Sequence, residues 1–361
     1  MASGPLPAAG RLRRRPNLAT RRSIAVKAWR WWAVALLLTL ALAPGVLAQG
    51  ARPREVWVDD GYCALCTNDG RTWGVDAFVS IGAGLRAVAA GGTVNVLPGR
   101  YEEDVEISQP CRLVAVGDGP VVLRPRQSQV AVTVAASDVT VEGLEISDSR
   151  LAAVLVIGPA FQREAIRDVA VRGNVIHGGQ YGVAVNIDAQ RTYGLLRATG
   201  IDIRGNEVTG CKRSIYVYNA QATITDNRVS DIVDGGIGIY SSRGSTSRIR
   251  QNRVQVEAVN ARAIYVLEND GTAIEDNTLL GVSDYLTPTT AVALYGFQNL
   301  RLTGNTVRGF YWGTNVYTGG TARVVGNTFE DNSAWALNFG SAITTTRVTI
   351  EDNVIRGAYW G

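Results

Sequence analysis

From residue 93 onward, apolar and polar residues alternate in short runs rich in Val, Ile, Thr and Tyr. Period-two alternation of this kind marks half-buried strands, whereas helices would need apolar runs of about ten or more residues at a 3.6 period. One segment recurs along the chain: apolar, any, any, Asn, any, apolar. It reads VRGNVI at Asn174, IRGNEV at Asn206, ITDNRV at Asn227, IRQNRV at Asn252, IEDNTL at Asn277, LTGNTV at Asn305, VVGNTF at Asn327 and IEDNVI at Asn353. An earlier copy, VEGLEI, places Leu144 in the Asn position. The intervals between successive Asn residues are 32, 21, 25, 25, 28, 22 and 26. A period in the twenties with variable loops predicts a solenoid. The Leu ladder of leucine-rich repeats is absent.

A second strand follows the Asn in five coils, at Val183–Val185, Ile215–Val217, Ile237–Ile239, Ile264–Val266 and Val292–Leu294. Each turn of the solenoid then supplies two or three short strands that stack at about 4.8 Å on those of the next turn. The predicted fold is all-β: a right-handed parallel β-helix, its hand taken from the general crossover preference. The repeated Asn is expected at a turn with its amide facing inward, bonded along the stack and to turn backbone. One helix is expected over Asp76–Ala90, capped by Asp76, with Phe78, Ile81, Leu85 and Val88 on one face and Gly91-Gly92 ending it. Lying before the first coil, it would cover an open end of the core, where bare strand edges invite pairing. At the other end Arg356–Gly361 echoes Arg308–Gly313, where a strand follows. Either the gene product is truncated there, or an aromatic plug or a partner covers the last coil, with self-association as one expected outcome.

The charge splits the chain. The formal net charge is +4, yet residues 1–48 hold eight basic residues and no acidic one. The remainder carries 28 basic and 32 acidic residues, which argues against a nucleic-acid partner. The basic stretch Arg11–Arg30 precedes an apolar run, Trp31–Ala43, and then Pro44-Gly45-Val46-Leu47-Ala48. This reads as an export signal over 1–48 cleaved before Gln49, with an uncleaved anchor as the alternative. Thr20–Ala25 resembles a twin-arginine signal. The expected organisation is signal 1–48, N-terminal segment and capping helix 49–92, and β-helix 93–361. The expected location is secreted or cell-envelope, with no membrane contact after signal removal. Cys63 and Cys66 form a Cys-x-x-Cys pair, while Cys111 and Cys211 lie far apart. In an oxidising compartment a local Cys63–Cys66 disulfide, or pairing with Cys111, is expected rather than a four-ligand zinc site. One His and two Lys exclude chemistry built on clusters of either.

The Asn-containing coils over 139–361 and the entry segment DAFVSIGAGLRAVAAGGTVNVLPGRYEEDVEI, followed by PCRLVAVGDG, resemble the pectin-lyase-like superfamily of right-handed parallel β-helix proteins. The resemblance implies the fold. It leaves the activity open, because members include polysaccharide lyases, glycosidases, esterases, epimerases and adhesins. Asn-Thr-Asp with a following Asp-Asp and Gly-His-Gly, and Asp-Pro-His-Asp, are both missing. Arg124-Pro125-Arg126 resembles the arginine-proline motif of pectate lyases but falls in an early coil.

In β-helix proteins the outer face of one stacked sheet usually forms the binding groove. Here the outward positions after each Asn hold Tyr216, Tyr218, Tyr240, Tyr265, Tyr295 and Tyr317, with Asn186 and Asn338 at the ends. Aromatic rings with polar tips suit sugar rings; stacked outward aromatics also strengthen a sheet without any ligand. Seven residues after their Asn lie Tyr181, Arg213, Asp234 and Trp312, with Lys212 and Arg262 nearby. Lys212, Arg213 and Arg262 are the candidates for abstracting a proton α to a uronate carboxylate and neutralising it. Asp231 and Asp234 are the candidates for a Ca²⁺ site, which needs about 6–8 oxygens. His177 reads as a turn residue. The expected function is binding of an extracellular or cell-envelope polysaccharide along the Tyr face. A polysaccharide lyase and a non-catalytic structural or adhesive surface protein are the two alternatives.

Overall fold

The computed structural model describes residues 51–127, 129–158, 165–187, 196–282, 288–339 and 347–360. The expected export signal lies outside them. Three parallel sheets form the solenoid, of thirteen, eleven and ten strands among the described residues. Each coil contributes one strand to each sheet in turn. In one coil these are Ala198–Arg204, Glu207–Thr209 and Arg213–Tyr218. Neighbouring coils pair in register, so like positions form columns. In the thirteen-stranded sheet Ile203, Ile224, Ile249, Ile274, Leu302 and Val324 stack directly. In the eleven-stranded sheet Val208, Val229, Val254, Leu279, Val307 and Phe329 do the same. All are buried. Three such walls enclose one continuous apolar core. Among the described residues no helix is long and apolar enough to cross a membrane.

The Asn column turns the corner between the first two walls. From Asn174 to Asn327, the backbone N–H and Nδ2 of each Asn both donate to Oδ1 of the Asn one coil on, at 2.9–3.0 Å. The other Nδ2 hydrogen reaches a carbonyl of the coil before, as in Asn252 to Ile224 O at 2.8 Å. Asn amides so placed satisfy buried corner backbone that has no strand partner. Leu144 ends the column, its N–H donating to Asn174 Oδ1 at 3.0 Å. The corner also explains the residue before each Asn. Gly173, Gly205, Asp226, Gln251, Asp276, Gly304, Gly326 and Asp352 all have φ between 54° and 66°. That left-handed region is costly except for Gly and, less so, Asp or Asn. The Gly-Asn and Asp-Asn pairs are thus a backbone requirement.

The helix differs from its expected span. It covers Ile81–Ala87, with Ser80 as N-cap, its side chain accepting from Ala83 N. Ala77–Phe78 is instead a strand paired with Trp57–Val58. Asp76 serves the preceding turn, its carboxylate accepting from Thr72 N at 2.7 Å. Tertiary pairing has overridden helical periodicity at residues 76–79. Glu103, just after the strand Gly99–Glu102, accepts from Ile81 N and Gly82 N at 2.6 and 2.9 Å, closing off the helix N-terminus. Ile81 and Leu85 are buried, and so is Val88, the C-cap. The strand Glu55–Val58 pairs with Gly92–Val96, so the thirteen-stranded sheet takes in residues ahead of 93. The disulfide joins Cys63 to Cys66, while Cys111 and Cys211 are buried thiols.

Candidate functional site

The outer face of the ten-stranded sheet carries most of the aromatic side chains singled out above. Two columns matter. The first runs Tyr181, Arg213, Ile237, Arg262, Thr290, Trp312, Trp335. The second runs Ala184, Tyr216, Tyr240, Tyr265, Ala293, Asn315, Asn338. Residues between them, such as Ile215, Ile239, Ile264 and Val292, point into the core and are fully buried. The strands are short and β-branched inside, so the pleat directs the aromatic positions outward.

The rings form a continuous chain. Tyr181 and Tyr216 have centroids 5.2 Å apart, Tyr216 and Tyr240 5.2 Å, and Tyr240 and Tyr265 4.9 Å. The Arg213 guanidinium carbon lies 5.5, 5.9 and 5.9 Å from the ring centres of Tyr181, Tyr216 and Tyr240. Its Nη1 donates to the Tyr181 hydroxyl at 3.3 Å. Arg262 lies 5.5 Å from the Tyr265 ring centre. Such cation–π contacts contribute about 0.5–2 kcal/mol each. Burial pushes the Tyr240 phenol up to about 12, with Tyr265 and Tyr216 adding to the shift and Arg213 and Arg243 opposing it. Burial also raises Tyr265, against the pull of Arg262. Both phenols therefore stay protonated at neutral pH, as hydrogen-bonding groups and not as bases.

The tyrosines expected in one stripe fall into three environments. Tyr181 and Tyr216 are buried, at 8% and 4% exposure, in an apolar cluster with Ala152, Leu155, Ala184 and Ile187 on the sheet's outer side. Tyr218, Tyr240, Tyr265 and Tyr317 are half-buried, and Tyr295 is exposed at 39%. Tyr218 and Tyr295 belong to a separate column two residues further along, with Ser242 and Leu267 between them. Tyr317 is the extra residue of a bulge, since Leu294 pairs with Val316 and Tyr295 with Thr318. The aromatic face also extends further than expected. Trp335 continues the Arg213 column and stacks on Trp360 at 5.5 Å with planes 21° apart. The echo of Arg308–Gly313 in Arg356–Gly361 was the available signal for Trp360.

The polar set disperses. Asp234 does not occupy the column of Tyr181 and Arg213; Ile237 does. The reason is turn length. Tyr181, Arg213 and Trp312 follow their Asn by seven residues, but Ile237 and Arg262 follow theirs by ten. Arg213 and Arg262 consequently share one column and stand two coils apart, about 9.6 Å along the stack. Lys212 turns away from that face, its ammonium donating to the Asp234 carbonyl. The Asp234 carboxylate accepts from Val259 N at 3.1 Å. Asp231 has φ 50° and follows Ser230, which pairs with Thr209, placing it opposite the left-handed Gly210. Its carboxylate accepts from Ser230 Oγ at 3.3 Å. Of the two acids expected at a Ca²⁺ site, Asp231 thus serves its own turn and Asp234 the turn of the next coil. Among the described residues no group of three or more His, Cys, Asp or Glu gathers where an ion could be held. His177 is exposed, its Nδ1 2.9 Å from Thr209 Oγ1 in the next coil.

Comparison with known proteins bears on the fold. Residues 193–357 match the family model described as "right handed beta helix region". No curated protein matches in sequence. Among solved structures, a GH136 lacto-N-biosidase from Eubacterium ramulus superposes with a TM-score of 0.57 at 16% identity, over 83% of this chain and 67% of that one. The A-module of a mannuronan C-5 epimerase from Azotobacter vinelandii gives 0.49 at 15% identity, over 78% and 90%. A pectate lyase gives 0.45 at 15% identity, over 85% and 76%. Parallel three-sheet coils, an internal Asn column and the family-model match over residues 193–357 make this chain a right-handed parallel β-helix.

Proposed function

We propose that this protein binds an extracellular or cell-envelope polysaccharide laid lengthwise across the outer face of the ten-stranded sheet. The observation that carries the reading is the ladder of rings Tyr216, Tyr240 and Tyr265 on three successive coils, with Arg213 and Arg262 beside it. A coil rise of about 4.8 Å is close to the length of one sugar ring in an extended chain. Rings offer apolar faces to sugar C–H groups, and protonated phenols offer hydrogen bonds to hydroxyls. Two guanidinium groups on the same face favour a chain that carries carboxylates, since Arg binds them in fork geometry. Solved β-helix structures that act on glycans, the GH136 lacto-N-biosidase among them, accord with this ligand class. An exported location fits it, and rests on the basic and apolar stretch of residues 1–48.

The test is a glycan array with wild type and the Tyr240→Ala/Tyr265→Ala variant. Binding to a uronate-containing polysaccharide that the double variant loses supports the reading. Binding that survives the double variant overturns it. The lyase alternative requires a free base, whereas Lys212 is committed to a turn carbonyl and Arg213 to Tyr181. Release of unsaturated uronates from pectate, alginate or glycosaminoglycans, with or without Ca²⁺, would promote that alternative over simple binding. A structural or adhesive role would draw instead on Ile350, Val354 and Ile355, which are exposed on the last described coil. Concentration-dependent sedimentation is its measurement.

A further inference from the structure

The outer face of the thirteen-stranded sheet carries a different chemistry. Several of its arginines meet an acid. Arg172 pairs with Asp202 at 2.6 Å, Arg204 with Asp226 at 3.2 Å and Arg248 with Glu275 at 3.1 Å. Near its far end this pattern breaks. Arg301 stands directly opposite Arg323 on the adjacent strand, and Arg323 opposite Thr349. Like charges so placed repel and destabilise a sheet. Arg301 has only the distant edge of Glu275, at 3.7 Å, a carboxylate already held closer by Arg248. Arg323 reaches Glu351 at 3.3 Å. Arg347 forms no ion pair with any described residue. Arg301, Arg323 and Arg347 line one depression of about 310 Å³, with Asn299, Thr321 and Thr349, and no acid lines it.

We propose that this depression is an oxyanion site for a sulfate or phosphate group, separate from the aromatic face. Three arginines from three successive strands border one small volume. A tetrahedral anion has enough oxygens to meet all three, where a carboxylate has two. Charge-assisted bonds of this kind are stronger than neutral ones, and Arg is suited to them by its fixed fork. Arg172 and Arg204 also stand opposite one another, but each has its own carboxylate, whereas Arg301 shares Glu275 with Arg248 and Arg347 has no acid among the described residues. The anion would relieve the Arg301–Arg323 repulsion, which Glu351 and the shared Glu275 offset only in part.

The experiment measures binding of inorganic sulfate, inorganic phosphate and dextran sulfate by calorimetry at fixed ionic strength, with neutral dextran as the blank. Saturable binding of the free ions would assign the site to a small anion. Binding of dextran sulfate alone would assign it to an ester group carried on a polymer. In either case Arg323→Gln/Arg347→Gln should weaken binding by about tenfold or more. Arg172→Gln/Arg204→Gln removes equal charge elsewhere on the sheet and should leave binding within about twofold. Tyr240→Ala/Tyr265→Ala should leave binding of the free ions unchanged. Circular dichroism checks that each variant is folded. No saturable binding, or equal loss in both arginine variants, would overturn the site.

Discussion

Tyr240 and Tyr265 stand opposite one another on adjacent coils, their rings stacked with centroids 4.9 Å apart and planes 17° from parallel. In-register pairing brings them together, because parallel strands repeat every side chain at the coil spacing. Arg213 approaches the first ring and Arg262 the second. Removing Tyr265 therefore removes one ring pair and one cation–π contact. Tyr265→Ala should cost about 1–3 kcal/mol of stability. Tyr265→Phe keeps the ring and should cost less than half as much. Urea midpoints at unchanged slope measure both.

Alkaline pH should weaken the same face. The folded Tyr240 phenol titrates near 12, above its ordinary value of 10. Its folded state holds a proton that the unfolded chain has lost, so stability falls as pH rises. The contribution is full below about pH 10 and is lost between about pH 10 and 12. Tyr240→Phe should flatten this part of the stability profile, read as urea midpoints from pH 9 to 12. An unchanged profile in that variant would place the titration elsewhere.

The Asn column is a stability element. Asn252 is buried and accepts from Asn227 N and Nδ2 while donating to Asn277 Oδ1, Ile224 O and Arg250 O. Asn252→Leu would strand several buried donors and acceptors, at about 1–3 kcal/mol each. A total loss of about 3–6 kcal/mol is expected. Leu at position 144 is tolerated because it ends the column, where its own N–H still finds Asn174. Thermal denaturation of Asn252→Leu and Asn252→Asp distinguishes shape from hydrogen bonding.

The residue before each Asn offers a backbone test. Asp226 has φ 56°. Asp226→Val should cost about 1–2 kcal/mol, since a β-branched residue resists the left-handed region. Asp226→Gly should lie within about 1 kcal/mol of wild type. It relieves the same strain and loses only an exposed ion pair to Arg204. A Val variant as stable as the Gly variant would show that the corner can relax.

Much of this molecule is written locally. The period-two strands, the recurring Asn and the variable interval between coils specify a parallel β-helix, because each is a one-coil property repeated many times. The inward positions Val183, Ile215, Ile239, Ile264 and Val292 are likewise readable from alternation alone, and all are buried. The placement of Asp234, Lys212 and Arg262 is not readable in this way. Counting from the Asn fails once a turn gains three residues, and only pairing across coils shows that Ile237, not Asp234, stands beside Arg213.

The sequence by itself therefore determined the solenoid, its core and its Asn corner, whose energetics are decided by near neighbours and repeated backbone geometry. Tertiary structure decides which tyrosines are accessible, burying Tyr181 and Tyr216 while leaving Tyr240 and Tyr265 half-buried and Tyr295 exposed. It also set three arginines around one depression. Both outcomes depend on register between residues more than twenty positions apart, and register is fixed by the summed lengths of the turns between them.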